Sequence, residues 1–259
     1  MAGKVSTAGV WPARVAIVVG GLLVWHFSVT FGLVPQLLVG EPLAIARLLW
    51  RWFQSGSIYY HLSVTLVEML LSFVIGAFLG FVCGLLLALN PFYSLVFDPF
   101  LKAFNAMPRV VLAPIFAVWF GLGIWSKIML GVTLVFFITF FNVLQGVREV
   151  NQITVNNSRI LGASRAQLLR YVYVPSAMSW VFSSLHNAVG MAFVGAVIGE
   201  YLGSAAGVGY LIQQAEGVFD TDAVMAGIVV LTFAALLLDY GVTVVERRLL
   251  RWHPNFSEG

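Results

Sequence analysis

Charge is scarce in this chain: only 10% of its 259 residues are Asp, Glu, Lys or Arg, against about 25% in a soluble globular domain. Cysteine is nearly absent. Cys83 stands alone, so neither an internal disulfide nor a cysteine metal cluster can form. Lying in an apolar run, it reads as a small packing residue. The usual marks of catalysis are missing too. There is no phosphate-binding Gly-x-x-x-x-Gly-Lys-Ser/Thr loop, no His-Glu-x-x-His zinc helix and no Gly-x-Ser-x-Gly elbow, each of which fixes its chemistry by spacing. The residues therefore offer no catalytic constellation and no metal site.

What the chain has in abundance is apolar surface, with 60% hydrophobic residues. A water-soluble fold of this size has too little interior to hide that much, because most of a folded surface still meets solvent. Lipid as solvent removes the conflict. A helix crosses the hydrocarbon core with roughly 20 apolar residues, and six stretches qualify or nearly do: 15–34, 64–89, 92–123, 128–147, 177–202 and 223–245. The third holds Pro99, Pro108 and Pro114. Proline removes a donor and kinks a helix, so a bent span covered by neighbouring helices is expected, with a re-entrant segment as the alternative. Lys4 and Arg14 precede the first stretch, which is too long for a cleaved signal core and reads as an uncleaved span. The expectation is an all-α integral membrane protein of about six transmembrane helices, a single domain over 1–259.

The net charge of +3 does not call for nucleic acid. No basic stretch with interleaved aromatics lies outside the apolar spans, and basic residues kept on the cytoplasmic side give the same excess. Lys4, Arg14, Lys102, Arg109, Arg148, Arg159, Arg165, Arg170, Arg247, Arg248 and Arg251 fall on one side of a six-span arrangement, and Arg47, Arg51 and Lys127 on the other. That bias places both termini in the cytoplasm. The external loop from Pro35 to Leu62 is too polar to span, and about residues 42–54 of it form an amphipathic segment. Leu43, Ala46, Leu49, Trp50 and Phe53 recur at helical spacing, as in a helix lying at the membrane interface.

Within the spans, Ser72, Gly76, Gly80, Gly84 and Ala88 place a small residue at every fourth position, and Gly195, Gly199 and Gly203 repeat the pattern. Such faces let membrane helices approach closely. They read as packing within one chain, with a dimer seam as the alternative. Ionisable groups in lipid are costly and usually face protein or a water-filled path. Glu68, His186, Glu200 and Asp239 are the candidates, with Asn142, Gln145 and Asn187 as polar neighbours. Glu200, at the end of its stretch, also reads as an interfacial charge. Asp239 also reads as a group snorkelling or pairing near the inner surface. An ion-coupled secondary transporter using Glu68, His186 and Asp239 as a relay remains a rival at this point, as does a non-transporting scaffold.

The segment 148–175 is the longest inner loop. Ser164 with Gln167 three residues on is a capping-box pattern, and Gly162 suits a helix stop. The pattern predicts a helix to about Leu161, a sharp turn, and a second helix from Arg165 to about Val174, which Pro175 separates from the next span. Ile160, Leu161, Leu168, Leu169 and Val172 make its apolar face. A compact two-helix knob of this kind suits docking to a partner.

Gly162-Ala163-Ser164, followed by Arg165, Leu168, Arg170, Val174 and Pro175, resembles the "EAA" loop of binding-protein-dependent ABC importer permeases. Pro108 with Pro114, Trp119-Phe120-Gly121, Ser126-Lys127-Ile128, Gly199-Glu200 and Gly207-Val208-Gly209-Tyr210 look like the nitrate/sulfonate/taurine/bicarbonate branch. The resemblance runs over residues 35–252. It implies a type I (MetI-like) architecture whose coupling helix, carried by 148–175, docks on an ATPase. It also implies a homodimer, two cytoplasmic ABC ATPase subunits that hold ATP and Mg, an extracytoplasmic solute-binding protein, and a bacterial inner membrane. No cofactor is expected on this chain. Asn156, Asn157, Ser158 and Arg159 stand where the family carries its Glu-Ala-Ala triplet and the residue after it, so the acidic contact is absent. Arg109 takes a position more often proline or apolar. The solutes implied are small anions such as a sulfonate, nitrate or bicarbonate, with pyrimidines and aromatic acids also in the family. Arg109 and Lys127 would suit an anion, and both also read as solvated rim charges.

Overall fold

The computed structural model describes residues 7–249, so Lys4 and Arg251, counted above for orientation, lie outside the described residues. Every regular element among them is helical: α1 (Thr7–Thr30), α2 (Gln36–Val39), α3 (Pro42–Ser55), α4 (Ser57–Ala88), α5 (Pro91–Ala106), α6 (Ala113–Phe120), α7 (Ile124–Arg148), α8 (Gln152–Ile160), α9 (Arg165–Leu168), α10 (Val174–Gly203), α11 (Val208–Gly217) and α12 (Thr221–Leu249). Five helices are long and apolar enough to cross a membrane, or six if α5 and α6 form one broken span. Lipid permits this design because a helix satisfies its backbone polar groups internally.

The described residues pack as two compact units: 7–60 with Leu211–Val230, and His61–Tyr210 with 231–249. In the first unit, α1 stops at Thr30 rather than running to residue 34. Gly32 turns the chain with a left-handed φ of 70°, which glycine adopts without a Cβ penalty. The Asp222 carboxylate at the start of α12 accepts the Glu41 N–H at 2.7 Å and a Gln36 amide N–H at 3.1 Å. Thr221 donates its hydroxyl to the Leu37 carbonyl. The amphipathic α3 buries Ile45 and exposes Trp50.

The second unit is organised by α7 and α10. About half of each is buried, 56% and 50% of their apolar windows, against 22% for α4 and 11% for α12. Met69, Val135, Ala188, Val189, Ala192, Phe193, Ala196 and Ala234 form its main core. The close fit of α4 on α7 depends on the small-residue stripe. A Cβ on Gly76 would fall 2.7 Å from Val135 Cβ, one on Gly80 2.6 Å from the Phe136 carbonyl, and one on Gly84 2.8 Å from the Phe140 carbonyl. Gly195 lies against the backbone of Gly131, and Gly199 against the Lys127 stem. All of these contacts are within the chain.

The bend in the third span measures 83° and falls at Met107–Pro108. Of the three prolines, Pro114 sits in the first turn of α6, where a missing N–H costs nothing, and Pro99 is carried inside α5. The two arms face differently. Ala113 and Phe116 of α6 pack on Leu130, whereas α5 buries only Ser94 and exposes Phe92, Leu95, Phe97, Phe100 and Phe104 within this chain.

Candidate functional site

The 148–175 segment is built by local capping. Asn151 opens α8 by accepting the Ile153 N–H at 2.8 Å. At the other end Gly162 takes φ 85°. The Gly162 N–H bonds the Arg159 carbonyl and the Ala163 N–H bonds that of Ser158, each at 3.0 Å. These paired bonds to the last turn's orphan carbonyls stop a helix sharply. The next helix starts two residues on. The Ser164 side chain accepts the Gln167 N–H at 3.3 Å, and the Gln167 side chain accepts the Ser164 N–H at 2.7 Å. Both strands of this capping box satisfy N–H groups that the first turn leaves free.

Val150, Val155 and Leu168 form the knob's small core, with Ala163, Val172 and Tyr173 packed around it. This corrects the expected apolar face. Ile160 and Leu161 are 83% and 87% exposed, because α8 turns Val155 inward and leaves its C-terminal tip outside. A shallow pocket of about 270 Å³ beside the tip is lined by Ser158, Leu161, Gly162, Ala163, Gln167 and Tyr171, among others. Asn156, Asn157, Arg159 and Arg165 are exposed around it. A second correction concerns Pro175. The helix does not break there. The Val174 N–H reaches the Leu169 carbonyl five residues back, and this wider turn carries the chain from α9 into α10. Pro175 falls in the first turn beyond it, where its missing N–H is tolerated.

The intramembrane candidates do not gather at one point. Glu68 and Glu200 come together, at 2% and 1% exposure, and the group that joins them is Lys127, 1% exposed. Lys127 is thus no rim charge, and Glu200 no interfacial one. The ammonium donates to the carbonyls of Leu122, Gly123 (3.0 Å) and Gly203 (2.9 Å). Glu200 accepts the Thr65 hydroxyl and the Gly209 N–H, each at 2.6 Å. Thr65 in turn accepts the Val208 N–H at 2.9 Å.

His186 belongs to a second cluster, between α10 and α12. Its Nδ1 lies 2.7 Å from Asp239 and its Nε2 3.1 Å from Glu246. Asn142 bonds the Ile138 carbonyl on its own helix, and Asn187 is exposed. Arg109 stands at the elbow between α5 and α6. It donates to the Asn105 carbonyl at 3.0 Å and lies 4.5 Å over the Phe137 ring, a favourable cation–π placement. Its Nε is buried with no acceptor. Sequence reasoning missed the burial of Lys127. The one clue was Gly199, a small residue set where the lysine stem crosses.

The architecture defines a class first: a helical membrane protein in which the 148–175 segment folds as a compact knob between two long apolar helices. The profile of the family described as binding-protein-dependent transport system inner membrane component matches residues 76–251. The chain is 30% identical to the taurine transport system permease protein TauC of Escherichia coli K12, over 90% of this chain and 86% of that one. It is 31% identical to the riboflavin transport system permease protein RibX of Chloroflexus aurantiacus, over 95% and 92%. Among solved structures, an inward-facing conformation of the MetNI methionine ABC transporter shares its fold. The TM-score is 0.54 at 22% identity, covering 69% of this chain and 93% of that one. This chain therefore belongs to the binding-protein-dependent ABC importer permeases, multi-pass proteins of the inner membrane.

Proposed function

We propose that two copies of this chain form the transmembrane core of an ATP-driven importer for a small anionic solute. Two cytoplasmic ATPase subunits dock on the two knobs and hold ATP and Mg, a separate binding protein delivers solute from outside, and both termini lie in the cytoplasm. The observation that carries this reading is the exposed Ile160–Leu161 tip, an apolar pair held out by a helix stop on one side and a capping box on the other. An exposed apolar patch with a polar rim suits a protein interface, and Asn156, Asn157, Arg159 and Arg165 supply that rim here. Knob motion can then bias the spans, provided that ATP and loaded binding protein favour different states, since equal affinity shifts nothing.

The anion follows from two supports. TauC carries taurine transport in its name, as the SsuC permeases carry aliphatic sulfonates. Arg109 places a cation at the elbow of the bent span, with its Nε–H buried and without an acceptor. RibX, named for riboflavin, marks how far solute can vary on this scaffold. Reconstitution in proteoliposomes with the ATPase and binding protein tests the reading. Uptake of a sulfonate should need internal ATP and survive an uncoupler. Uptake that persists without the ATPase and collapses with an uncoupler would replace the importer with an ion-coupled carrier.

A further inference from the structure

The buried cluster of Glu68, Glu200 and Lys127 has a charge problem. Two carboxylates and one ammonium, all ionised, sum to a net negative charge in a space sealed from solvent. An uncompensated buried charge is far more costly than a neutral polar group. Glu68 stands one helical turn beyond Thr65 on α4, whose hydroxyl donates to Glu200. Two ionised carboxylates are acceptors only, so a bond between them requires a proton on one.

The partners of the two groups say which one. Glu200 accepts from the Thr65 hydroxyl and the Gly209 N–H, donors that stabilise the charged form. Glu68 Oε2 is buried with no donor. As half of a carboxylate that oxygen would carry unsolvated charge, whereas as the carbonyl of a neutral acid it loses much less. The other titratable groups around the cluster do not supply the proton's counterpart. Lys127 of α7 is committed to three carbonyls, and His61 of α4 accepts the Gly207 N–H at Nδ1.

We propose that Glu68 and Glu200 form a carboxyl–carboxylate pair holding one proton, with Glu68 as the neutral acid donating to the Glu200 anion and Lys127 balancing that anion. The cluster is then electroneutral. It acts as a positioning device: Glu200 holds the 207–209 turn, Thr65 ties that turn to α4, and Lys127 ties the start of α7 to the end of α10. This assignment is independent of which solute is carried.

The test is infrared spectroscopy of the full-length chain in nanodiscs at neutral pH, together with its Tm. The wild type should show a protonated-carboxyl C=O band that Glu68→Gln removes. Glu68→Gln should keep the wild-type Tm, because the amide donates to Glu200 as the acid does. Glu200→Gln should lower Tm by several degrees, because it leaves Lys127 unbalanced. A wild type without the band overturns the proposal. So does a band that survives Glu68→Gln, or a Glu68→Gln protein that melts as low as Glu200→Gln.

Discussion

Replacing the knob's tip separates docking from folding. Ile160 and Leu161 are 83% and 87% exposed, so the double substitution Ile160→Asp, Leu161→Asp removes almost no intrachain burial. Surface changes of that sort stay within about 0.5 kcal/mol of stability. If the ATPase docks on the knob as proposed, the same pair is buried in the complex. Full burial of such a side chain is worth about 1.5–3 kcal/mol, and binding costs reduce what reaches affinity. Taking half of the sum for two residues gives roughly 1.5–3 kcal/mol, and at 1.4 kcal/mol per tenfold the ATPase should bind about 10–100-fold more weakly. Val155→Ala supplies the contrast. Val155 is fully buried in the knob core, so its truncation should cost on the order of 1–3 kcal/mol of local stability. Co-purification of the ATPase and thermal melting of the permease alone read the two effects. If the Asp pair leaves ATPase affinity unchanged, or lowers Tm as far as Val155→Ala does, the tip is not an anchor.

Five further outcomes follow from the geometry. Gly80→Val should force α4 from α7, because its Cβ meets the Phe136 carbonyl at 2.6 Å, and should lower Tm by the equivalent of about 2 kcal/mol or more. Gly20→Ala, with nothing within 4 Å, should leave Tm unchanged or slightly raised, since Ala is the better helix residue. Lys127→Met should destabilise by about 3–5 kcal/mol, the cost of breaking a buried charge arrangement from one side, and unchanged melting would show that the cluster is not coupled. Ser164→Ala should remove about 1 kcal/mol of helix start and weaken ATPase-driven uptake, while Arg109→Ala should lower uptake of an anionic solute and cost only about 0.5–1 kcal/mol of stability, the worth of its ring contact. Normal uptake rates in either variant would remove that residue from the account.

How much of this was readable in the chain depends on the range of the interaction. The capping box needs only Ser164 and Gln167, and the helix stop only Gly162 with its neighbours, so both are legible from residues a turn apart. The spacing of Gly76, Gly80 and Gly84 likewise marks a face, because helical period fixes which residues align. The length and hydropathy of the spans are composition, and lipid enforces them. What escaped depends on packing between distant segments. Lys127 looks like a loop charge until Gly199 and the Gly203 carbonyl of α10 close over it. Glu200 looks interfacial until Thr65 and Gly209 cover it. Ile160 looks like core because a nine-residue helix has too few turns to fix its phase, and only the contact of Val155 with Leu168 decides it. Pro175 looks like a break because the wide turn at residues 169–173 leaves no local mark.

The central claim is the subunit composition, and native mass spectrometry of the complex purified in mild detergent weighs it directly. Two copies of this chain with two copies of a P-loop ATPase is the predicted mass, and Gly162→Pro or Arg165→Glu should shed the ATPase while keeping the permease pair. A monomer, or a pair that never carries an ATPase, would contradict the account.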